Sequence, residues 1–170
     1  MPSFYTYFIS SLPMLRFGQP LPFSYAVFLG KCSELIPAED FKILSSPEDS
    51  TRLPLVKEIK CFKEMLANEL VKVRAASKKV NPEKYLRPDR YSGQSIYHIA
   101  LAAHRNPSPL EAERYLDQER WNYLEEKSFG HYFDLEALII YAHKLLILER
   151  WEKINSAPSH SLLEEAIRQG

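Results

Sequence analysis

The chain has 170 residues, and a chain of this length buries roughly 70% of its unfolded surface when it folds as one domain. Lys plus Arg and Asp plus Glu both number 22, so the formal net charge is zero, which argues against a nucleic-acid binder with an overall basic excess. Apolar residues make up 45% of the sequence and glycines number only 5, which disfavours disorder and a turn-rich β-sandwich or barrel. We predict a single helical domain over residues 1–170, an irregular all-α multi-helix bundle with one long amphipathic helix.

Short segments separated by prolines make up the first part of the chain. Phe4–Leu12 is an aromatic segment that Pro13 terminates, and weak alternation over residues 5–9 is the one strand-like signal in the sequence. Ser24 predicts the N-cap of a helix that reaches about Leu35, and a second helix follows at Ala38–Leu44. The apolar side of the first of these helices is predicted to be Phe28, Leu29, Cys32, Leu35 and Ile36.

The longest periodic segment runs from Leu53 to about Val80, where the dipeptide Asn81-Pro82 ends it. Its apolar residues recur every three or four positions, which is typical of a long amphipathic helix. The apolar stripe of that helix is predicted to be Leu55, Ile59, Phe62, Leu66, Leu70 and Val73.

Two helices follow in the next stretch of the chain. The first is a short apolar helix, Ile96–His104. Ser108, Pro109 and Glu111 form a capping-box pattern that starts the second helix, which reaches about Glu126. The larger apolar residues of this second helix are Leu110, Tyr115, Trp121 and Leu124.

Asp134 predicts the N-cap of a strongly amphipathic helix, Leu135–Ile154, and Ser161–Gln169 is predicted as a final short helix. The apolar stretch Ala137–Leu148 has His143 in its middle and is shorter than the ~18 apolar residues of a membrane span, so we interpret it as a buried core helix. The residues of this helix predicted to point one way are Leu138, Tyr141, Leu145, Leu148 and Trp151.

Two cysteines, Cys32 and Cys61, are too few for a disulfide framework and form no C-x-x-C metal clip. Met1–Leu15 is apolar but lacks the basic start and the cleavage site of a signal peptide, so we expect it to be part of the mature fold. These features predict reduced thiols and a cytoplasmic location.

No catalytic signature is present in the sequence. It contains no phosphate-binding glycine motif, no H-E-x-x-H pair and no G-x-S-x-G turn, and His131, His143 and His160 fall on three different elements. We predict no catalytic residue, no cofactor and no metal. The alternative is a small helical enzyme whose site is assembled from scattered residues, namely His98, His104, Tyr141 and Glu149.

Charge is segregated although the total cancels. The long helix carries seven lysines and arginines against three glutamates, while the capping-box helix carries six acidic residues against two arginines. Either these two helices pack together and neutralise each other, or the basic helix is a docking face for an acidic partner. Nucleic acid is not expected as that partner, because no aromatic residues interleave with the lysines.

Three stretches carry a family resemblance: Phe4–Phe17 with its Ser-Leu-Pro, Asn106–Leu124, and Phe133–Trp151 with its Glu-Arg-Trp. They resemble an uncharacterised bacterial family whose members are encoded beside V-type (A-type) ATPase genes. That family in turn looks like a distant, shortened relative of the C subunit of that ATPase, called d in eukaryotes, an all-helical socket for the central stalk.

The resemblance implies a non-catalytic accessory or C-like structural subunit, with V-type ATPase subunits as partners and a position at the cytoplasmic face of the membrane. Any membrane association is expected to be peripheral, through the complex, without insertion. A stand-alone helical adaptor is a further alternative. The predicted partner-binding residues lie in proline-containing loops, where binding residues concentrate, and on the basic helix: Arg16, Phe17, Lys57, Lys60, Arg87 and Arg90.

Overall fold

The structure is a computed structural model of the chain, and it describes residues 3–46, 53–88 and 93–157. Within these ranges it contains seven α-helices, one 3-10 helix and no β-strand, so the all-α prediction is confirmed. The predicted final helix, Ser161–Gln169, lies outside the described residues. The helices are α1 (Ser3–Ser11), α2 (Tyr25–Leu35), α3 (Ala38–Ser45), α4 (Pro54–Lys78), α5 (Gln94–Arg105), α6 (Pro109–Lys127) and α7 (Leu135–Ser156), with the 3-10 helix at Glu83–Tyr85.

All three predicted N-caps are formed. The side chain of Ser24 accepts a hydrogen bond from the Val27 amide at the start of α2, and Asp134 accepts one from the Ala137 amide at the start of α7. Ser108 accepts one from the Glu111 amide at the start of α6. Each cap satisfies one of the backbone N–H groups that a helix start leaves unpaired.

The helices group into two compact units. The first contains α1, α2, α3 and α7, and the second contains α4, the 3-10 helix, α5 and α6. The single domain predicted over residues 1–170 stays a prediction.

Phe28 of α2 is the centre of the first unit and is fully buried. Its ring packs 6.5 Å from the ring of Phe8 on α1 and 5.3 Å from that of Tyr141 on α7. The Tyr141 hydroxyl donates a 2.9 Å hydrogen bond to the Pro13 carbonyl, so α7 is held against the chain that leaves α1. Two of the three stretches that carry the family resemblance therefore contact each other here.

The second unit is built on the apolar stripe of α4. All six residues predicted for this stripe are buried. In the C-terminal part of the stripe, Leu66 and Leu70 pack against Ile96 and Ala100 of α5 and Leu116 of α6. Fully burying a side chain of this size contributes roughly 1.5–3 kcal/mol. The stripe thus provides four of the eight buried residues in the core that fixes α5 and α6 on α4.

Two predicted details differ from the structure because periodicity alone does not show which neighbour covers a residue. Leu35, predicted on the apolar side of α2, is 41% exposed, since it is the last residue of that helix. In α7 buried residues also lie outside the predicted stripe, at Ile139, Ile140, Ala142 and His143, so this helix is enclosed on most sides rather than amphipathic.

None of the described helices combines the length and the apolarity needed to cross a membrane.

Candidate docking surface

The structure places the predicted partner-binding residues in both units. Arg16 is exposed and Phe17 is half-buried in the segment after α1. Lys57 and Lys60 are exposed on α4, and Arg87 is exposed on the segment that follows the 3-10 helix. Arg90 lies outside the described residues. Lys57, Lys60 and Arg87 therefore belong to one unit.

Four exposed cations lie on one side of α4: Lys57, Lys60, Arg74 and Lys78. At about 100° per residue, they occupy an arc of about 100° around the helix axis. We call these four residues the basic stripe. Lys60 and Lys78 are five turns apart and in register, with about 27 Å between them along the axis. None of the four forms an ion pair with another described residue.

The acidic helix α6 packs on a different side of α4. The ring of Tyr123 stacks on Phe62 with a centroid distance of 4.1 Å, and Lys127 Nζ lies 2.6 Å from a carboxylate oxygen of Glu58. The Glu58 carboxylate raises the pKa of Lys127 by accepting this bond. Because Glu58 and Phe62 are each about 160° from Lys60 around the axis, α6 does not cover the basic stripe. The two helices pack together, as one alternative predicted, but the basic stripe is not neutralised by that packing.

Helix α4 ends two residues before its predicted end because Lys79 adopts the left-handed conformation, with φ of 54°. The Lys79 amide donates to the Ala76 carbonyl, and the Val80 amide donates to the Ala75 carbonyl at 3.1 Å. This is the Schellman arrangement, in which the left-handed position is usually glycine. A lysine at this position gave no sequence signal for the helix end.

The segment after Lys79 folds back along α4. Asn68, 4% exposed on α4, accepts a 3.0 Å hydrogen bond from the Arg87 amide and donates one to the Arg87 carbonyl. Since Asn68 lies about 15 Å before the helix end, residues 79–87 run along the last turns of the helix. This segment adds three exposed cations to the same unit, namely Lys79, Lys84 and Arg87.

Sequence reasoning missed the residues that organise this surface. Asn68 has no motif around it, and its role depends on a partner 19 positions away. Lys84, whose ammonium lies 5.8 Å from the centroid of the exposed Tyr85 ring, stands in a segment with no periodic pattern. Arg74 and Lys78 were visible as part of the charge excess, but only the helical register places them in line with Lys60.

The four residues of the enzyme alternative are divided between the two units, two histidines in one unit and Tyr141 with Glu149 in the other. His98 and His104 are both exposed on α5, six positions apart and therefore about 120° apart around its axis. On α7 the Tyr141 hydroxyl is bound to the Pro13 carbonyl, and the Glu149 carboxylate lies 3.7 Å from Lys153 Nζ. Burial raises the pKa of the Cys32 thiol to about 12, which disfavours the reactive thiolate form at neutral pH.

One group of potential metal ligands lies in the described part of the chain. Ligand atoms of His131, Asp134 and Glu136, in the segment that enters α7, all lie within 4.8 Å of one another. Asp134 already accepts the capping hydrogen bond from the Ala137 amide. Because acidic groups often cluster at helix starts without a cation, this geometry alone does not assign a metal.

Three aromatic residues in the segment that joins α6 to α7 are exposed: Phe129 by 86%, Tyr132 by 60% and Phe133 by 43%.

A family model described as "Protein of unknown function (DUF2764)" matches residues 96–169. The match covers α6, α7 and all of α5 except its first two residues, and it includes two of the three stretches that carry the resemblance. It covers less than half of the chain, and α4 with its basic stripe lies outside it. No curated protein and no solved structure matches the chain.

Proposed function

We propose that this chain is a non-catalytic accessory subunit of a V-type ATPase and that it acts by docking through the basic stripe of α4. The observation that carries the proposal is the set of four exposed cations on one side of α4 that form no ion pair with another described residue, on a different side from the acidic helix α6. Exposed cations on one side of a helix steer association with an oppositely charged surface and fix its register.

The choice of partner rests on the family resemblance. The stretches Phe4–Phe17 and Phe133–Trp151 pack together through Tyr141 and Pro13, so their similarity to the ATPase-associated family is a similarity of helix packing. A subunit that works through its surfaces needs such packing and no reactive centre.

Retrieval from native membranes tests this proposal. Tagged protein is expected to retrieve V-type ATPase subunits from membranes solubilised under conditions that preserve the complex. The double charge reversal Lys60→Glu, Lys78→Glu is expected to lose most of this retrieval. Both lysines are expected to pair with acidic residues of the partner along one face of α4, and the reversal turns this attraction into repulsion.

The matched control is Arg105→Glu, Arg114→Glu, which changes the same charge at exposed cations of α5 and α6 that form no ion pair with described residues. The control is expected to retrieve the subunits as the unmodified chain does, with equal helix content by circular dichroism. Recovery of the unmodified chain alone would refute the ATPase assignment, and full retrieval by the double reversal would refute the role of the stripe.

A further inference from the structure

We infer that the partner of the basic stripe is an acidic α-helix of another protein, lying lengthwise along α4, with Lys79 contacting the end of that helix. This inference rests on the proposed docking function and specifies the chemistry of the docked element.

The shape of the stripe fits a helix. Residues 60, 67, 71 and 78 lie within about 20° of one line along α4. Its two ends are Lys60 and Lys78, and between them are Ala67 and Val71, both half-buried. The small side chain of Ala67 in the middle lets a second helix approach to the usual 8–10 Å between axes. Cations at both ends would then meet carboxylates spaced by about five turns of the partner.

Glu64 lies inside the arc of the basic stripe, about 40° from Lys60 around the axis, and between the two pairs of cations along the helix. A continuous polyanion would bring a phosphate close to this carboxylate, whereas a helix can place an apolar or basic residue there. The zero net charge of the chain also provides no overall field that attracts a polyanion. Both observations favour a protein helix over nucleic acid.

Lys79 is the second, independent observation. It is held at φ of 54°, where the Cβ of any residue except glycine meets its own carbonyl. Glycine would relieve this strain, so the lysine does not serve the stability of the helix end. Its exposed ammonium directly follows Lys78 at the end of the basic stripe, where it extends the row of cations beyond the last helical turn.

Carbodiimide cross-linking of the retrieved complex tests the inference directly, because it joins lysine amines to carboxylates in contact with them. Lys60 is expected to link to one carboxylate of a partner segment, and Lys78 or Lys79 to a second carboxylate about 18 residues away in that same segment. Lys31 and Lys153, both exposed in the other unit, are the internal controls and are expected to give no link to this segment.

Two variants give a second readout in the same retrieval assay. Ala67→Trp places a bulky side chain in the middle of the stripe without changing charge and is expected to reduce retrieval at least about tenfold, since helix axes must approach closely there. Lys79→Gly is expected to reduce retrieval about two- to fivefold, the effect of one exposed charge contact, although the variant folds more stably.

The outcomes separate this inference from the proposed function. If the unmodified chain retrieves ATPase subunits but the cross-links reach separate segments, or Ala67→Trp retrieves as well as the unmodified chain, the helix is refuted and docking stands. Loss of retrieval after nuclease treatment would show a nucleic-acid partner and also refute the helix. Failure of the unmodified chain to retrieve any subunit refutes the proposed function itself.

Discussion

Lys79 is the one described residue other than glycine with a positive φ. Lysine in this conformation costs about 1–2 kcal/mol, and glycine recovers this cost while losing about 0.5–1 kcal/mol through the entropy of its unfolded chain. We expect Lys79→Gly to raise the free energy of unfolding by about 0.5–1 kcal/mol, measured as a higher urea midpoint at unchanged m-value. Lys78→Gly, one residue earlier with helical backbone, is the control and is expected to lower it by about 0.5–1 kcal/mol. Destabilisation by Lys79→Gly would contradict this account of the helix end.

Asn68 is the residue that ties the segment after α4 to the helix. Removing its amide by Asn68→Ala leaves the Arg87 amide and carbonyl without their partners, which is expected to cost about 1–3 kcal/mol. Faster hydrogen exchange at the Arg87 amide is the specific readout. Asn122→Ala removes an exposed amide that is bonded only within α6 and is expected to change stability by less than about 0.5 kcal/mol. Unchanged exchange at Arg87 would contradict the pairing.

At the scale of a single element, the start of α6 shows a capping box that is only half formed. Ser108 Oγ accepts from the Glu111 amide at 3.3 Å, but the Ser108 amide donates to Asn106 Oδ1 at 3.0 Å and not to the Glu111 carboxylate. We expect Ser108→Ala to cost about 1 kcal/mol and Asn106→Ala about 0.5–1.5 kcal/mol. Glu111→Gln is expected to cost less than about 0.5 kcal/mol, as only its interaction with the helix dipole is lost. Urea unfolding of the three variants measures this order. A larger loss of unfolding free energy for Glu111→Gln than for Asn106→Ala would indicate that the Glu111 carboxylate completes the capping box.

At the scale of the whole molecule, a buried thiol and several tyrosine hydroxyls with raised pKa values make the free energy of unfolding fall with pH in the alkaline range. Burial raises the pKa of Cys32 from 9.0 to about 12, and desolvation by burial also raises the pKa values of Tyr5, Tyr25 and Tyr141. At alkaline pH these groups therefore stay protonated in the folded chain when they have already lost their protons in the unfolded chain. The stabilising contribution of Cys32 is complete below about pH 9 and is lost as the pH rises toward 12.

We expect the free energy of unfolding to fall between pH 8.5 and pH 10.5, measured by urea titration at constant ionic strength. Cys32→Ala removes the buried thiol and is expected to be less stable at pH 7 because of the cavity it leaves, yet to lose less stability over the same pH interval. Equal losses in the two proteins would show that the Cys32 thiol does not titrate with unfolding.

The amino-acid sequence by itself determined the elements whose causes are local. Apolar residues three and four positions apart defined α4 and its buried stripe, and the side chains of Ser24, Ser108 and Asp134 started three helices, because capping and periodicity act within one or two turns. The segregation of charge between α4 and α6 was equally visible in the sequence.

Only the tertiary structure decided which sides of those helices remain open. The sequence could not place α6 on the Glu58 and Phe62 side of α4, since that choice follows from which apolar side chains find a partner, and partner choice is a long-range property. It could not show that Asn68 binds the Arg87 backbone, because polar pairing across 19 positions has no local signature. The charge of the basic stripe is therefore evident in the sequence, but its place on the surface follows from packing, because α6 contacts α4 on the side of Glu58 and Phe62 and leaves Lys57, Lys60, Arg74 and Lys78 exposed.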